Sequence, residues 1–265
     1  MTVIQGATIL VTGAATGIGR GLCREFHRRG GFVIGLDRDG TGLESLGHEL
    51  QERFAAWRCD VSDHDAVLAA AKDMEERHGG VDILVNNAGV VTGAGFTELE
   101  HGDIERTFRV NTLAPIHLSR RLLPGMLRRD RGHVVTVASA AGVTASPRLA
   151  DYSASKFALV GFDESLRFEL RRVGSNVRTT VVCPYYVDTG MFEGVRTRWP
   201  RLLPLLRPER VVARIVRAVE RDEPRVVMPR LVYLGWVGRI LPLSWFDRLA
   251  DFFGITRNMD DFRGR

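Results

Sequence analysis

Residues 7–19 read ATILVTGAATGIG, an apolar run followed directly by a turn with three glycines. The apolar run has the length of a buried β-strand, and residues 17–29 have the pattern of a helix. Gly13, Gly17 and Gly19 lack the Cβ atoms that would block a tight turn and keep the backbone away from a phosphate at the helix N-terminus. The stretch therefore predicts a strand, a phosphate-binding turn and a helix.

The same alternation of short apolar runs and longer amphipathic segments extends over most of the chain. The predicted strands are 7–11, 32–36, 55–59, 83–85, 134–137, 179–182 and 226–228. The predicted helices lie near 17–29, 42–53, 63–78, 103–129, 152–172 and 208–221. Because parallel neighbours need a long crossover, this pattern predicts an α/β fold with a doubly wound parallel sheet. No linker or repeat divides residues 1–265, which we expect to form one domain.

The composition excludes several classes of protein. The chain has 265 residues, 45% of them hydrophobic, and a net charge of +5, which fits a globular domain and not a disordered tail. Its three cysteines lack C-x-x-C spacing, which argues against a disulfide framework or a zinc site and favours a reducing cytoplasm. The pattern of a signal peptide and an 18-residue apolar stretch are both missing from the sequence.

Asp37 ends the second predicted strand, 24 residues after Gly13. This is close to the spacing of a carboxylate that accepts hydrogen bonds from the ribose of a dinucleotide. A carboxylate here would repel a 2′-phosphate, so the sequence favours NAD over NADP. Arg38 is the opposing observation, because a guanidinium could bind that phosphate.

Small polar clusters follow the next two strands. Asp60 and Val61 end the third strand, and Asn87, Ala88 and Gly89 end the fourth. Ligands of such sheets bind beyond the carboxyl ends of the strands. We expect these residues to meet the adenine and the adjoining ribose.

Tyr152 and Lys156 stand four residues apart at the start of a predicted helix, which places both side chains on one face. A free tyrosine has a pKa of roughly 10, too high for a base near neutral pH. A nearby ammonium favours the phenolate and lowers that pKa. The pair therefore predicts a general acid/base, with Ser139 thirteen residues upstream at the end of the fifth strand.

Together, TGAATGIG from residue 12, NNAG from residue 86, Asn111, Ser139 and YSASK from residue 152 resemble the short-chain dehydrogenase/reductase family. The resemblance covers about residues 7–189 and implies a Rossmann-like fold. It implies that Tyr152 exchanges a proton with the substrate oxygen while a hydride passes between substrate and nicotinamide. Lys156 would hold the nicotinamide ribose and lower the pKa of Tyr152, Ser139 would bind the reacting oxygen, and Asn111 would fix a proton-relaying water.

The pattern and the resemblance together give a full set of candidate cofactor residues. These are Gly13, Thr16, Gly17, Ile18, Gly19, Asp37, Arg38, Asp60, Val61, Asn87, Ala88, Gly89, Tyr152, Lys156, Pro184, Val187 and Thr189. The chain departs from the family where Tyr185 follows Pro184, a position that is often glycine. We expect Tyr185 to add an aromatic wall on the substrate side.

Residues 189–207 correspond to the segment that closes over substrate in this family. Met191, Phe192, Trp199 and the leucines at 202–203 and 205–206 are apolar, which favours a lipophilic alcohol or ketone, with core packing as the alternative. Residues 194–230 hold ten arginines and four acids. A solvated helical face explains this charge best, an anionic membrane surface comes second, and nucleic acid is not expected.

Residues 231–265 form a C-terminal extension, predicted to be helical. Its Leu-Pro-Leu turn and Asp-Phe-Phe-Gly run resemble the subgroup of retinol and 17β-hydroxysteroid dehydrogenases. That resemblance implies oxidation of retinol, a steroid or a long-chain alcohol, a homodimer or homotetramer, and contact of the extension with a membrane face as one option. An NADPH-dependent ketoacyl or carbonyl reductase is the alternative enzyme, and a non-catalytic dinucleotide sensor is the alternative outside catalysis.

Overall fold

The computed structural model describes residues 1–263, so that Gly264 and Arg265 of the predicted extension lie outside the described residues. The strands are β1 Thr8–Thr12, β2 Phe32–Asp37, β3 Phe54–Arg58, β4 Ile83–Asn86, β5 His133–Val137, β6 Arg178–Pro184 and β7 Arg225–Met228. The helices are α1 Gly17–Arg28, α2 Gly40–Leu50, α3 His64–His78, α4 His101–Phe108, α5 Ala114–Arg128, α6 Ala150–Arg172, α7 Pro208–Glu220, α8 Leu234–Gly238 and α9 Leu243–Phe253.

The seven strands form one sheet in the order β3-β2-β1-β4-β5-β6-β7, and every neighbouring pair is parallel. The doubly wound α/β fold predicted from the sequence is confirmed. The strand order reverses between β1 and β4, which places a crevice beyond their carboxyl ends. The first glycine-rich turn opens into this crevice.

Both faces of the sheet are covered by helices. Along β1, Ile9 and Val11 pack in the cluster that includes α1, α2 and α7, whereas Leu10 packs in the cluster that includes α3, α5 and α6. This alternation follows from the period of two in a strand. Because both faces are buried, the strands are continuous apolar runs.

The helix predicted over 103–129 is two helices in the structure. A π-helical turn, Arg109–Leu113, separates α4 from α5. Pro115, in the first turn of α5, has no N–H to donate, and its ring crowds the carbonyl four residues back, at Asn111. The widened turn accommodates this clash and buries the Asn111 side chain completely.

The extension forms α8, α9 and short turns, as the helical expectation required. It packs at the carboxyl end of the sheet, where Val232 and Trp236 contact a cluster that contains Val143 and Leu159. Met259 and Phe262 are buried in a cluster with Tyr152. Within residues 1–263, no helix combines the length and the apolar character that crossing a membrane would require.

Candidate active site

A cleft of about 1760 Å³, open to solvent, lies at the crevice between β1 and β4. The structure brings to it all the candidate cofactor residues except Gly19, together with Ser139. Gly19 is buried in α1, where a Cβ atom would overlap the carbonyl oxygen of Gly13. The absence of a Cβ atom at Gly19 therefore allows close packing against the glycine-rich turn.

The glycine-rich turn is clamped to the end of β4. A Cβ atom on Gly13 would lie 2.9 Å from the Cα of Ala88, and the backbone φ of Gly13 is +67°. The Thr12 hydroxyl accepts hydrogen bonds from the backbone N–H groups of Asn87 and Ala88, both at 3.0 Å. The Asn87 side chain donates to the carbonyl of Thr12 at 2.9 Å. The turn thus leaves bare backbone facing the cleft, which fits a bound pyrophosphate.

Asp37 lies at the carboxyl end of β2, and both of its carboxylate oxygens accept hydrogen bonds from backbone N–H groups. One oxygen accepts from the backbone N–H of Ala15 at 3.0 Å, and the other accepts from the N–H of Asp39 at 3.0 Å. Arg38 is exposed and lines the same cleft. Burial raises the pKa of Asp60, but hydrogen bonds from Ser62 and the charges of Arg38 and Arg106 outweigh it and hold that pKa below its usual range. The charge of Arg38 is therefore partly balanced by Asp60.

Tyr152 and Lys156 lie in the first two turns of α6, and both side chains are buried. The Lys156 Nζ is 5.6 Å from the centre of the Tyr152 ring and donates a hydrogen bond to the carbonyl of Val137 at 3.0 Å. The one-turn spacing predicted from the sequence is therefore what holds the pair together. Ser139 lies just after β5, the strand that ends at Val137, and lines the cleft beside Tyr152 and Lys156.

The expected lowering of the pKa of Tyr152 is wrong for this structure. Burial raises the pKa of Tyr152 to about 12, with the Ser139 side chain acting to lower it and Tyr186 to raise it. Burial also lowers the pKa of Lys156 to about 8. The reason is desolvation, since a buried site disfavours the charged form of both groups.

Asn111 does not line the cleft and has protein partners for its side chain. Its Oδ1 accepts from the backbone N–H of Val90 at 2.8 Å, and its Nδ2 donates to the carbonyl of Val90 at 2.9 Å and to Ser155 Oγ at 3.1 Å. Ser155 Oγ in turn donates to the carbonyl of Tyr152 at 2.7 Å. Asn111 therefore ties the loop after β4 to the helix that carries Tyr152.

The loop after β6 closes the cleft from the other side. Val187 pairs with Leu206 in an isolated parallel bridge, and Asp188 N donates to the carbonyl of Leu206 at 2.9 Å. Thr189 faces the glycine-rich turn, where a Cβ atom on Gly17 would lie 3.4 Å from its side chain. This loop places Pro184 to Thr189 opposite the end of β1.

A second cavity, of about 840 Å³, opens beside Ser139 and Tyr152. Its wall is mainly apolar. Residues 189–207, which we call the covering segment, contribute Phe192 and Leu203. The extension contributes Leu231, Val232, Leu234, Phe246, Leu249, Phe253 and Ile255. The expected apolar lining is only partly found. Leu206 packs in the main core, whereas Leu202 and Leu205 are exposed.

The extension fastens the covering segment in place. The Trp199 indole donates to the carbonyl of Phe252 at 2.9 Å, and the centres of the two rings are 5.6 Å apart. The Arg198 guanidinium donates to the carbonyl of Asp251 at 3.2 Å. These contacts join two segments that are about fifty residues apart in the sequence.

Sequence reasoning missed several residues of this site. Thr12 and Ser155 lie inside the quoted motifs, so the motifs could have pointed to them. Tyr186 and Asn258 line the second cavity, and Asn258 donates to the Tyr185 hydroxyl at 2.8 Å. No signal in the sequence singles out Asn258, because neither its residue type nor its spacing matches a motif of the site.

A comparison with family models gives a match to the short chain dehydrogenases over residues 7–199. The chain belongs to this family. It is therefore an oxidoreductase that acts on CH–OH groups and uses a nicotinamide dinucleotide. In sequence, it is 38% identical to human epidermal retinol dehydrogenase 2, over 98% of this chain and 86% of that protein. It is 35% identical to human retinol dehydrogenase 10, over 98% of this chain and 85% of that protein.

Solved structures of short-chain dehydrogenases share the fold. One from Burkholderia phymatum in complex with NAD has a TM-score of 0.82 and 27% identity, over 91% of this chain and 95% of that one. A metagenomic short-chain oxidoreductase in complex with NADP has a TM-score of 0.71 and 28% identity, over 85% of this chain and 96% of that one. The two neighbours carry different dinucleotides, so the choice for this chain depends on its own residues.

Proposed function

We propose that this protein is an NAD-dependent dehydrogenase of lipophilic alcohols, of the retinol, steroid or long-chain type. The observation that carries the proposal is the apolar cavity that opens directly on Ser139 and Tyr152. Apolar cavities of this size bury lipophilic ligands, and their few polar groups orient the reacting end. The names of the retinol dehydrogenases similar to this chain support the same class.

Tyr152, Ser139 and Lys156 each have a separate role in the proposed reaction. A bound nicotinamide supplies hydride exchange with the carbon of the alcohol. Tyr152 takes the hydroxyl proton during oxidation and returns it during reduction. Ser139 holds the reacting oxygen beside that phenol. Lys156, anchored on the carbonyl of Val137, binds the nicotinamide ribose.

Asn111 is a proposed part of the proton path. Its side chain joins Val90 to Ser155, next to the backbone of Tyr152. A Cβ atom on Gly89 would lie 3.5 Å from Asn111 Oδ1 and 3.6 Å from Lys156 Nζ, so both groups lie beside Gly89. We keep the relay of protons through a water near Asn111 as a prediction.

The preference for NAD rests on Asp37. Its carboxylate is fixed by two backbone N–H groups at the end of β2, on the wall of the cleft. A fixed negative charge repels a 2′-phosphate, whereas the positive charge of Arg38 is partly balanced by the carboxylate of Asp60. The NADPH-dependent carbonyl reductase remains the alternative, with Arg38 as the observation in its favour.

The extension also offers a surface for contact with a membrane. Ile240, Leu243 and Trp245 are 85%, 74% and 64% exposed, and the exposed Arg248 lies on the same helix as two of them. Apolar side chains beside arginines bind anionic lipid surfaces. Flotation with anionic vesicles tests this contact, and Trp245→Ser should weaken it. A homodimer or homotetramer remains a prediction, to be measured by analytical ultracentrifugation.

A screen of NAD⁺ reduction with retinol, steroid alcohols and alkanols tests the proposed function. Tyr152→Phe should lower kcat about a thousandfold because it removes the proton acceptor, while the Kd for NAD⁺ changes little. Tyr233→Phe, on an exposed turn of the extension, is the matched control. Full activity of Tyr152→Phe, or no activity of the wild type on any lipophilic alcohol, would contradict the proposal.

A further inference from the structure

Four polar side chains meet on one part of the mainly apolar cavity wall: Ser146, Tyr185, Tyr186 and Asn258. We call them the tyrosine–asparagine cluster. They come from three distant parts of the chain, the loop before α6, the loop after β6 and the extension. Asn258 Nδ2 donates to Tyr185 Oη at 2.8 Å, and Ser146 Oγ donates to the carbonyl of Ile255 at 2.9 Å.

The cluster lies beside the reacting position. The Phe192 ring contacts Tyr186 on one side and Tyr152 on the other, with ring centres 5.1 Å and 5.8 Å away. The ring of Tyr185 packs edge-on against that of Tyr186, with centres 4.7 Å apart. A ligand bound at Tyr152 therefore passes the cluster within a few carbon atoms of its reacting carbon.

The two tyrosines present donors to the cavity. The Tyr185 oxygen accepts from Asn258, so its own hydrogen points away from that bond. Burial raises the pKa of both phenols, that of Tyr186 to about 12, so both remain protonated at neutral pH. Packing alone would be satisfied by phenylalanine, whereas these hydroxyls have polar partners in the wall, Asn258 for Tyr185 and both Ser146 and Asn258 for Tyr186.

We propose that the tyrosine–asparagine cluster is a second polar subsite, which binds a hydroxyl or carbonyl oxygen that the lipophilic substrate carries a few carbons from its reacting alcohol. The inference rests on the proposed function and narrows its substrate class. Tyr186 and Tyr185 donate to that oxygen, and Asn258 is a positioning residue that orients the Tyr185 hydroxyl. The extension thereby selects substrates by a polar contact as well as by apolar area.

Ligand binding in the presence of NADH, which prevents oxidation of the alcohol, tests the subsite by isothermal titration calorimetry. The probes are decan-1-ol and decanediols whose second hydroxyl lies progressively further from the first. The wild type should bind one of the diols about fivefold more tightly than decan-1-ol, the size of one net hydrogen bond. Tyr186→Phe should remove this preference, so that the variant binds decan-1-ol and that diol with equal affinity.

Thr144→Val is the matched control, because it removes a hydroxyl from the wall of the same cavity outside the cluster. It should keep the preference for the diol. Equal affinity of the wild type for decan-1-ol and every diol, absence of binding included, overturns the inference, as does a preference that survives in both Tyr186→Phe and Tyr185→Phe. A diol that binds through the cluster but is not oxidised with NAD⁺ contradicts the proposed function and leaves the subsite standing.

Discussion

The cofactor cleft and the apolar cavity meet at Ser139 and Tyr152, but they are built in different ways. The cleft is made of strand ends and the turns that follow them, fixed by hydrogen bonds from backbone N–H groups to side-chain oxygens such as those of Thr12 and Asp37. The cavity is made of side chains from loops and the extension, held by apolar packing. The cleft therefore suits a single ligand, the dinucleotide. The cavity can accept a different substrate when the side chains in its wall change.

The strongest contrast between the cleft and the cavity is expected at Lys156, which lines the cleft. Lys156→Arg should lower kcat about a hundredfold and raise the KM for NAD⁺, because a broad guanidinium replaces a compact ammonium that is buried and bound to the carbonyl of Val137. Steady-state kinetics measure both constants. The chain's other lysine is the matched control, since Lys72 is exposed on α3, 3.8 Å from Glu76. Similar losses in Lys72→Arg and Lys156→Arg would refute the assigned role.

A smaller effect concerns the choice of dinucleotide. Asp37→Asn should reduce the preference for NAD⁺ over NADP⁺ about tenfold, because it removes the negative charge and keeps the shape of the side chain. The ratio of kcat/KM for the two dinucleotides measures it. Asp39→Asn is the control, because Asp39 caps α2 through the N–H of Gly42. A wild type that already prefers NADP⁺ would reverse this part of the account.

The smallest effect concerns Asp163 on α6, where a substitution should change the stability of the protein but not its activity. Burial raises the pKa of Asp163 from 3.8 to about 7, against the lowering effects of Thr179, Arg167 and Arg225. The folded protein therefore holds an extra proton between these pH values, and this carboxyl destabilises the fold as the pH rises through the same window.

Asp163→Asn removes that titration. Urea unfolding should show the variant to be more stable than the wild type by about 2 kcal/mol at pH 8, with the difference shrinking as the pH falls and vanishing only below the unfolded pKa of 3.8. Activity at pH 7 should be unchanged, because Asp163 contacts neither the cleft nor the cavity. A difference in stability that does not depend on pH would show that the carboxyl does not titrate as described.

The sequence was most informative where function depends on local spacing. The glycine-rich turn, Asp37 and the pair Tyr152 and Lys156 each lie within one strand, turn or helix, so their spacing alone places them. The break at the π-helical turn was missed because the apolar period continues across it, although Pro115 could have indicated it.

The cavity was harder to predict because its walls come together only in the fold. Leu203 lines the cavity while its neighbour Leu202 is exposed, a difference that depends on how the covering segment packs on the extension. Asn258 lies more than seventy residues from its partner Tyr185. The rise in the pKa of Tyr152 could not be predicted either, since the residue spacing indicates a nearby ammonium but not the burial that raises the pKa.

We propose that the extension selects a lipophilic substrate and that the cleft binds the dinucleotide independently of it. Leu249→Asn places a polar group in the cavity wall, and Leu243→Asn places the same group on an exposed position of the same helix. The decisive measurement is the ratio of kcat/KM for decan-1-ol to that for butan-1-ol in both variants and the wild type. The account predicts that the ratio falls about tenfold in Leu249→Asn alone, with the Kd for NAD⁺ the same in all three proteins. Equal losses for both alcohols, or the same fall in Leu243→Asn, would contradict it.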